Sequence, residues 1–146
     1  MKILILYASR KGQNANLAQR IKEVLEDEGL SADLKNVKGQ KIELLRDYDV
    51  LLLGSSTWGD GDLQTDFQVF EDGLRDEDLT GKTGAAFGSC SVMYPRFGWA
   101  VDILENRLKN NGAKVLQKGL KFDTQGGVNY TSAVEWAKRL AQILKS

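Results

Sequence analysis

The sequence contains no histidine, a single cysteine and a single proline in 146 residues. Without histidine it lacks the commonest general base and the commonest transition-metal ligand. One cysteine excludes an intrachain disulfide, argues against a structural zinc site, and suits a reducing compartment. Net charge is missing too: 20 Lys and Arg balance 20 Asp and Glu. Overall charge therefore points to neither nucleic acid nor a membrane surface. No stretch approaches the roughly 18 consecutive apolar residues that a membrane-spanning helix requires. The opening MKILILYAS has a short apolar run without a basic leader, and reads as a first strand rather than a signal peptide. The expected location is the cytosol. The length fits one domain over residues 1–146 with a sizeable core.

What is present is alternation. Ile3 to Tyr7 and Val50 to Leu53 are continuous apolar runs, as strands covered on both faces are. Between them Leu17, Ile21, Val24 and Leu25 recur at helical spacing, with Gly29 as a stop. Ser31 to Val37 reads as a short strand and Ile42 to Leu45 as a short helix. Phe67, Phe70 and Leu74 mark another helical face, and Thr83 to Phe87 another strand. Gly98 to Asn110 is helical and ends at Asn111-Gly112; Val115 to Phe122 is a broken strand. Thr131 to Lys145 is a last helix with Ala133, Trp136, Ala137 and Leu140 inward. The order β-α-β-(α)-β-α-β-α-β-α implies parallel strands, right-handed crossovers and helices on both faces.

In an open parallel sheet a ligand sits beyond the carboxyl ends of the strands, at the switch in strand order. Three segments leave those ends: Ala8 to Asn16, Ser55 to Asp62, and Gly88 to Gly98. In the first, Ser9, Arg10, Lys11, Gly12, Gln13 and Asn14 run straight into a helix. The first amides of a helix have no internal partner and carry partial positive charge, so this turn can cradle one phosphate. The competing reading is a polar cap in which Asn14 or Asn16 merely starts the helix. The second segment holds Ser56, Thr57, Trp58, Gly59 and Asp60; the third holds Ser89, Cys90, Ser91, Tyr94, Phe97 and Gly98. Trp58 alone reads as a rim residue or a small satellite core. Together with Tyr94 it suggests a slot for a flat conjugated ring, which aromatic faces favour by about 0.5–1.5 kcal/mol beyond area burial. Phosphate at one end and an aromatic sandwich at the other describe flavin mononucleotide (FMN). Glycines 54, 59, 61 and 88 are expected to allow close backbone approach to the ring edge.

The turn at Ser9 to Asn14, the block STWGD at Ser56 to Asp60, and FGSCSVMYPRFGWAVD at Phe87 to Asp102 resemble a short-chain flavodoxin over essentially the whole chain. LKNNGAK and KGLKFD sit where that family has similar segments. The resemblance implies a doubly wound five-stranded sheet in the order 2-1-3-4-5; flavodoxin is itself a standard example of ligand binding at such a switch point. It further implies bound FMN, a low-potential carrier of single electrons, no metal and a monomer. Trp58 and Tyr94 would flank the ring. Gly59 would let its peptide flip so that a carbonyl accepts a hydrogen bond from the reduced flavin. Asp60, Asp62 and Asp66 would disfavour the anionic reduced form and dock basic redox partners. Two departures stand out: Lys11 and Asn14 replace the two later threonines of the family's phosphate turn, and the chain is neutral where the family is acidic.

The run Asp60 to Asp78 carries eight acids and one base, Arg75, and reads either as a solvated helix face or as a docking patch. Cys90 reads as a small filler rather than a redox group. The competing function is an FMN-dependent quinone or nitro reductase, which needs more chain for a second substrate. A partner-specific maturation flavoprotein is a further class. A phosphoacceptor receiver is excluded, because Ser55-Ser56 and Ser9-Arg10 stand where it requires carboxylates.

Overall fold

The computed structural model describes residues 1–8, 12–58, 62–93, 95–125 and 129–146; for Trp58 it describes the backbone alone. The elements in chain order are β1 (Ile3–Ala8), α1 (Gln13–Asp27), β2 (Ala32–Asn36), a 3-10 helix (Ile42–Asp47), β3 (Val50–Ser55), β4 (Thr57–Trp58), β5 (Asp62–Leu63), α2 (Thr65–Leu74), β6 (Thr83–Cys90), α3 (Trp99–Asn110), β7 (Lys114–Val115), β8 (Leu120–Asp123) and α4 (Thr131–Lys145).

β2, β1, β3 and β6 line up in that order, all parallel. The last position is shared by two short strands, with β7 beside Thr83–Gly84 and β8 beside Phe87–Cys90. This is the expected 2-1-3-4-5 order, with the broken fifth strand split into two pieces. The runs that read as continuous apolar strands divide their side chains by alternate residues. Ile3, Ile5, Val50, Leu52, Ala85 and Phe87 enter one core with α1 and α4. Leu4, Leu6, Leu51, Leu53 and Ala86 enter the other with α2 and α3. Period-two alternation between two helical layers is why no polar residue interrupts them.

The helices end as their residues dictate. Past α1, Leu30 N–H donates to Leu25 O at 2.9 Å and Gly29 N–H to Glu26 O at 3.0 Å. Past α3, Ala113 N–H donates to Leu108 O at 3.0 Å and Gly112 N–H to Lys109 O at 3.1 Å. Both closures satisfy terminal carbonyls and turn the chain back toward the sheet. One element departs from expectation. The stretch after β3 is not simply a loop: β4 and β5 form a small antiparallel pair, Thr57 opposite Leu63 and Trp58 opposite Asp62.

Candidate functional site

β1, β3 and β6 end side by side, and the three segments that leave them are tied together by buried hydrogen bonds. Asn14 is 1% exposed. Its Nδ2 donates to Ala8 O at 3.0 Å, and its Oδ1 accepts from Ser89 N–H at 3.2 Å. One side chain thus joins the end of β1, the first turn of α1 and the end of β6. The second and third segments meet at Thr57, whose Oγ1 accepts from Ala100 N–H at 3.2 Å in the first turn of α3. Below them the fully buried Ser55 accepts from Gln64 N–H at 2.9 Å and donates to Ser56 O at 2.9 Å.

Asn14 does not cap α1. Gly12 holds the N-cap position at φ +84°, among the described residues no side chain caps the helix, and no acid lies in its first turn. The first intrahelical bond runs from Asn16 N–H to Gly12 O at 2.8 Å. The amides ahead of it, at Gln13, Asn14 and Ala15, are free of intrahelical partners by the geometry of any helix start. Gln13 itself is exposed. α3 also begins at a left-handed glycine, Gly98 at φ +71°, but there Thr57 takes the Ala100 N–H and Asp102 lies in the first turn.

The third segment is anchored from a fourth direction. Asp123 Oδ1, at the end of β8, accepts from Val92 N–H at 3.1 Å and Gln125 N–H at 2.9 Å. Ser91 Oγ donates to Gln125 Oε1 at 2.9 Å and accepts from Met93 N–H at 3.2 Å. Cys90 is buried, its Sγ 3.5 Å from Ser91 O. Phe97 is half-buried. Val92, Met93 and Trp99 are 51%, 73% and 47% exposed, the first two on the third segment and the last at the start of α3. The Arg96 guanidinium lies 4.7 Å over the Trp99 ring.

Of the residues expected at the site, Gly12, Gln13, Asn14, Ser56, Thr57, Ser89, Cys90, Ser91, Phe97 and Gly98 lie on these three segments. Ser9, Arg10, Lys11, Gly59, Asp60 and Tyr94 lie outside the described residues, as does Gly61. Trp58 is placed by register opposite Asp62. For Gly54 and Gly88 the structure supplies a reason inside the sheet. A Cβ on Gly54 would lie 2.1 Å from the Phe87 ring, and one on Gly88 would lie 2.0 Å from Ser55 O. Both glycines are required by contacts within the sheet and its core. Gln64 and Asp123 went unread in the sequence. Gln64 is fully buried and caps α2, accepting from Asp66 N–H at 2.7 Å. Asp123 had a signal: an Asp bonding the amide two residues on, just past a strand, is a common turn device.

The acidic run divides. Glu71 is 5% exposed and holds Arg107 at 2.8 Å and Arg75 at 3.2 Å. Glu77 accepts from the Arg46 guanidinium at 2.9 Å, and that hydrogen bond pulls its carboxyl below the usual range. Asp78 is likewise pulled down by hydrogen bonds from Thr80. Asp62, Asp72 and Asp76 remain exposed and Asp66 is half-buried.

Fold and site together define a doubly wound α/β protein whose three strand-end segments meet at the strand-order switch. The family model for flavodoxin matches residues 5–136. The chain is similar to a flavodoxin from Maridesulfovibrio salexigens, 36% identical over 143 residues that span 96% of this chain and 97% of that one. Among solved structures it is similar to oxidised flavodoxin 1 from Bacillus cereus, at TM-score 0.88 and 35% identity over 99% of this chain and 98% of that one. The fold is also that of a Fusobacterium nucleatum flavodoxin bound to flavin mononucleotide, at TM-score 0.83 and 17% identity over 99% and 96% of the two chains. The chain belongs to the flavodoxin family.

Proposed function

We infer that this chain binds FMN and carries single electrons between redox partners. The observation that carries the reading is the knot of three strand-end segments, held by Asn14 and Thr57 around a helix start whose first amides can receive an anion. The residues fit the group: α1 offers backbone donors, no capping side chain among the described residues competes for them, and no carboxylate in its first turn repels a phosphate. Ser9 and Lys11 would add a hydroxyl and an ammonium to that cradle. Trp58 and Tyr94 would flank the ring and exclude water, with Ser56, Thr57, Ser89, Cys90, Ser91, Phe97 and Gly98 lining its edges.

FMN, when bound, supplies the one-electron redox chemistry; the chain supplies orientation and electrostatics. Asp62 and Asp66, with Asp60, would put negative charge near the ring and oppose the build-up of more, which would lower the potential of the last electron. The exposed Asp62 and half-buried Asp66, with Asp60 and the exposed apolar Val92, Met93 and Trp99, would form the surface on which basic redox proteins dock. Glu71 and Glu77 are not part of that surface, because Arg107, Arg75 and Arg46 already hold them. We place the protein in the cytoplasm as a monomer. The carrier reading is favoured over a reductase by the family to which the chain belongs.

The test is direct titration of the purified, flavin-free chain with FMN, followed by flavin and tryptophan fluorescence. Tight uptake with quenching of both signals is expected, and photoreduction of the complex should proceed in two separate one-electron steps. No uptake at micromolar FMN overturns the reading.

A further inference from the structure

Ser89 occupies an awkward place in the sheet. The β3–β6 ladder ends at the pair Gly54–Phe87, so on that side the backbone of Ser89 runs on past β3, though it still pairs with Phe122 of β8 on the other, and it remains 4% exposed. A buried amide left without a partner costs about 1–3 kcal/mol. Asn14 removes that cost from across the switch point, 75 residues away in sequence, by accepting the Ser89 N–H at 3.2 Å. Its other end donates to Ala8 O at 3.0 Å, which closes a bracket around the segment from Ala8 to Asn14. An amide side chain can do both because it holds a donor and an acceptor on separate atoms.

The position matters as much as the bonds. Asn14 is the second residue of α1, in the turn that would seat the phosphate on the flavin reading. Ser89 is the point from which the third segment departs: two residues on, Ser91 receives Met93 N–H, and the chain continues to Gly98. We propose that Asn14 is a positioning residue that couples the two ends of the flavin site, so that an anion seated on α1 strengthens the grip of the third segment on the ring. The proposal rests on the flavin-binding reading above. It gives a physical role to one of the two places where the chain departs from the threonines of its family's phosphate turn.

FMN can be divided into halves that are titrated separately, riboflavin and inorganic phosphate. In the full-length, flavin-free protein, saturating inorganic phosphate is expected to tighten riboflavin binding about fivefold or more. In Asn14→Ala the ratio of riboflavin affinities with and without phosphate should fall to within about twofold of unity. That ratio is the readout, because a merely structural role would weaken riboflavin equally in both conditions and leave the ratio unchanged. Circular dichroism establishes that the variant is folded. If it is not, Asn14→Ser takes its place, with one oxygen where Asn14 has a separate donor and acceptor, and its ratio should fall below half that of the parent. A parent protein that binds riboflavin with no phosphate effect overturns the coupling but leaves the flavin reading intact. A folded variant with the parent's ratio also overturns it. A parent that binds neither riboflavin nor FMN brings down the underlying reading instead.

Discussion

Placing an alanine at Gly88 puts a methyl carbon 2.0 Å from Ser55 O and 3.0 Å from Val101 Cγ2. A carbon and a carbonyl oxygen in favourable contact stand roughly 3.3 Å apart, so the overlap exceeds about 1 Å. The oxygen belongs to the backbone of β3, which is paired with β1 on one side and β6 on the other. It cannot swing aside as a side chain would. Overpacking usually costs 1–3 kcal/mol, and a clash against a strand backbone belongs at the top of that range, about 3 kcal/mol. For a chain of this length that corresponds to a drop of roughly 6–12 °C in Tm. The assay is urea and thermal unfolding of the flavin-free protein. The midpoint should fall with an unchanged urea slope, which isolates stability from a change in compactness. The alternative is that Gly88 lacks a side chain for the sake of the flavin. It makes the opposite forecast, with normal stability of the flavin-free chain and loss only of flavin affinity. That result would refute the steric argument.

Further outcomes follow from neighbouring features. Gly54→Ala meets the Phe87 ring at 2.1 Å, a side chain rather than backbone. Phe87→Leu should therefore recover part of its loss, seen as a favourable coupling of about 1 kcal/mol or more in a double-mutant cycle, whereas it should not rescue Gly88→Ala. Glu71→Ala strands two arginines at the α2–α3 junction and should cost about 3 kcal/mol, the low end for breaking a buried ion pair, because both arginines keep some solvent access. Chemical denaturation measures it, and a loss within 0.5 kcal/mol or so, usual for surface sites, would return Glu71 to the solvated acids. Tyr48 donates to Asp33 Oδ2 at 2.6 Å, and burial together with Asp33 pushes its hydroxyl up to about 12. The folded state therefore favours the protonated phenol. Its contribution is intact below the unfolded value near 10 and is lost as pH rises from there through about 12. Tyr48→Phe should remove that alkaline loss from a plot of stability against pH.

The sheet was legible because its strands are buried on both faces. Ile3 to Tyr7 and Val50 to Leu53 cannot be amphipathic when α1 and α4 cover one side and α2 and α3 the other. The interruption in the fifth strand was equally visible, since Gln117, Lys118 and Gly119 break its apolar character. The β4–β5 pair was not, because strands of two residues have no period to read. Asn14 was legible as a residue at a helix start but not as a buried tie. The partner that gives it meaning, Ser89, becomes its neighbour only after the sheet assembles. Glu71 was hidden for the opposite reason: seven other acids surround it in sequence, while Arg107 arrives from another helix. Gly54 and Gly88 were read as making room for a ligand, and their room for Phe87 and Ser55 went unread. Long-range contacts of this kind carry no local signature.

A protein whose charges cancel lacks the mutual repulsion that keeps like-charged molecules dispersed, so its lateral strand borders carry the burden of discouraging self-association. One border offers fragments of two and four residues, β7 and β8, too short and too discontinuous to template a third chain. The opposite border, β2, sets Asp33 and Lys35 among only five residues, and charged side chains on a short outer strand make poor company for an incoming one. The interruption that looks like a flaw in the fifth strand thus doubles as a guard against fibre growth, a safeguard written in shape because it could not be written in charge.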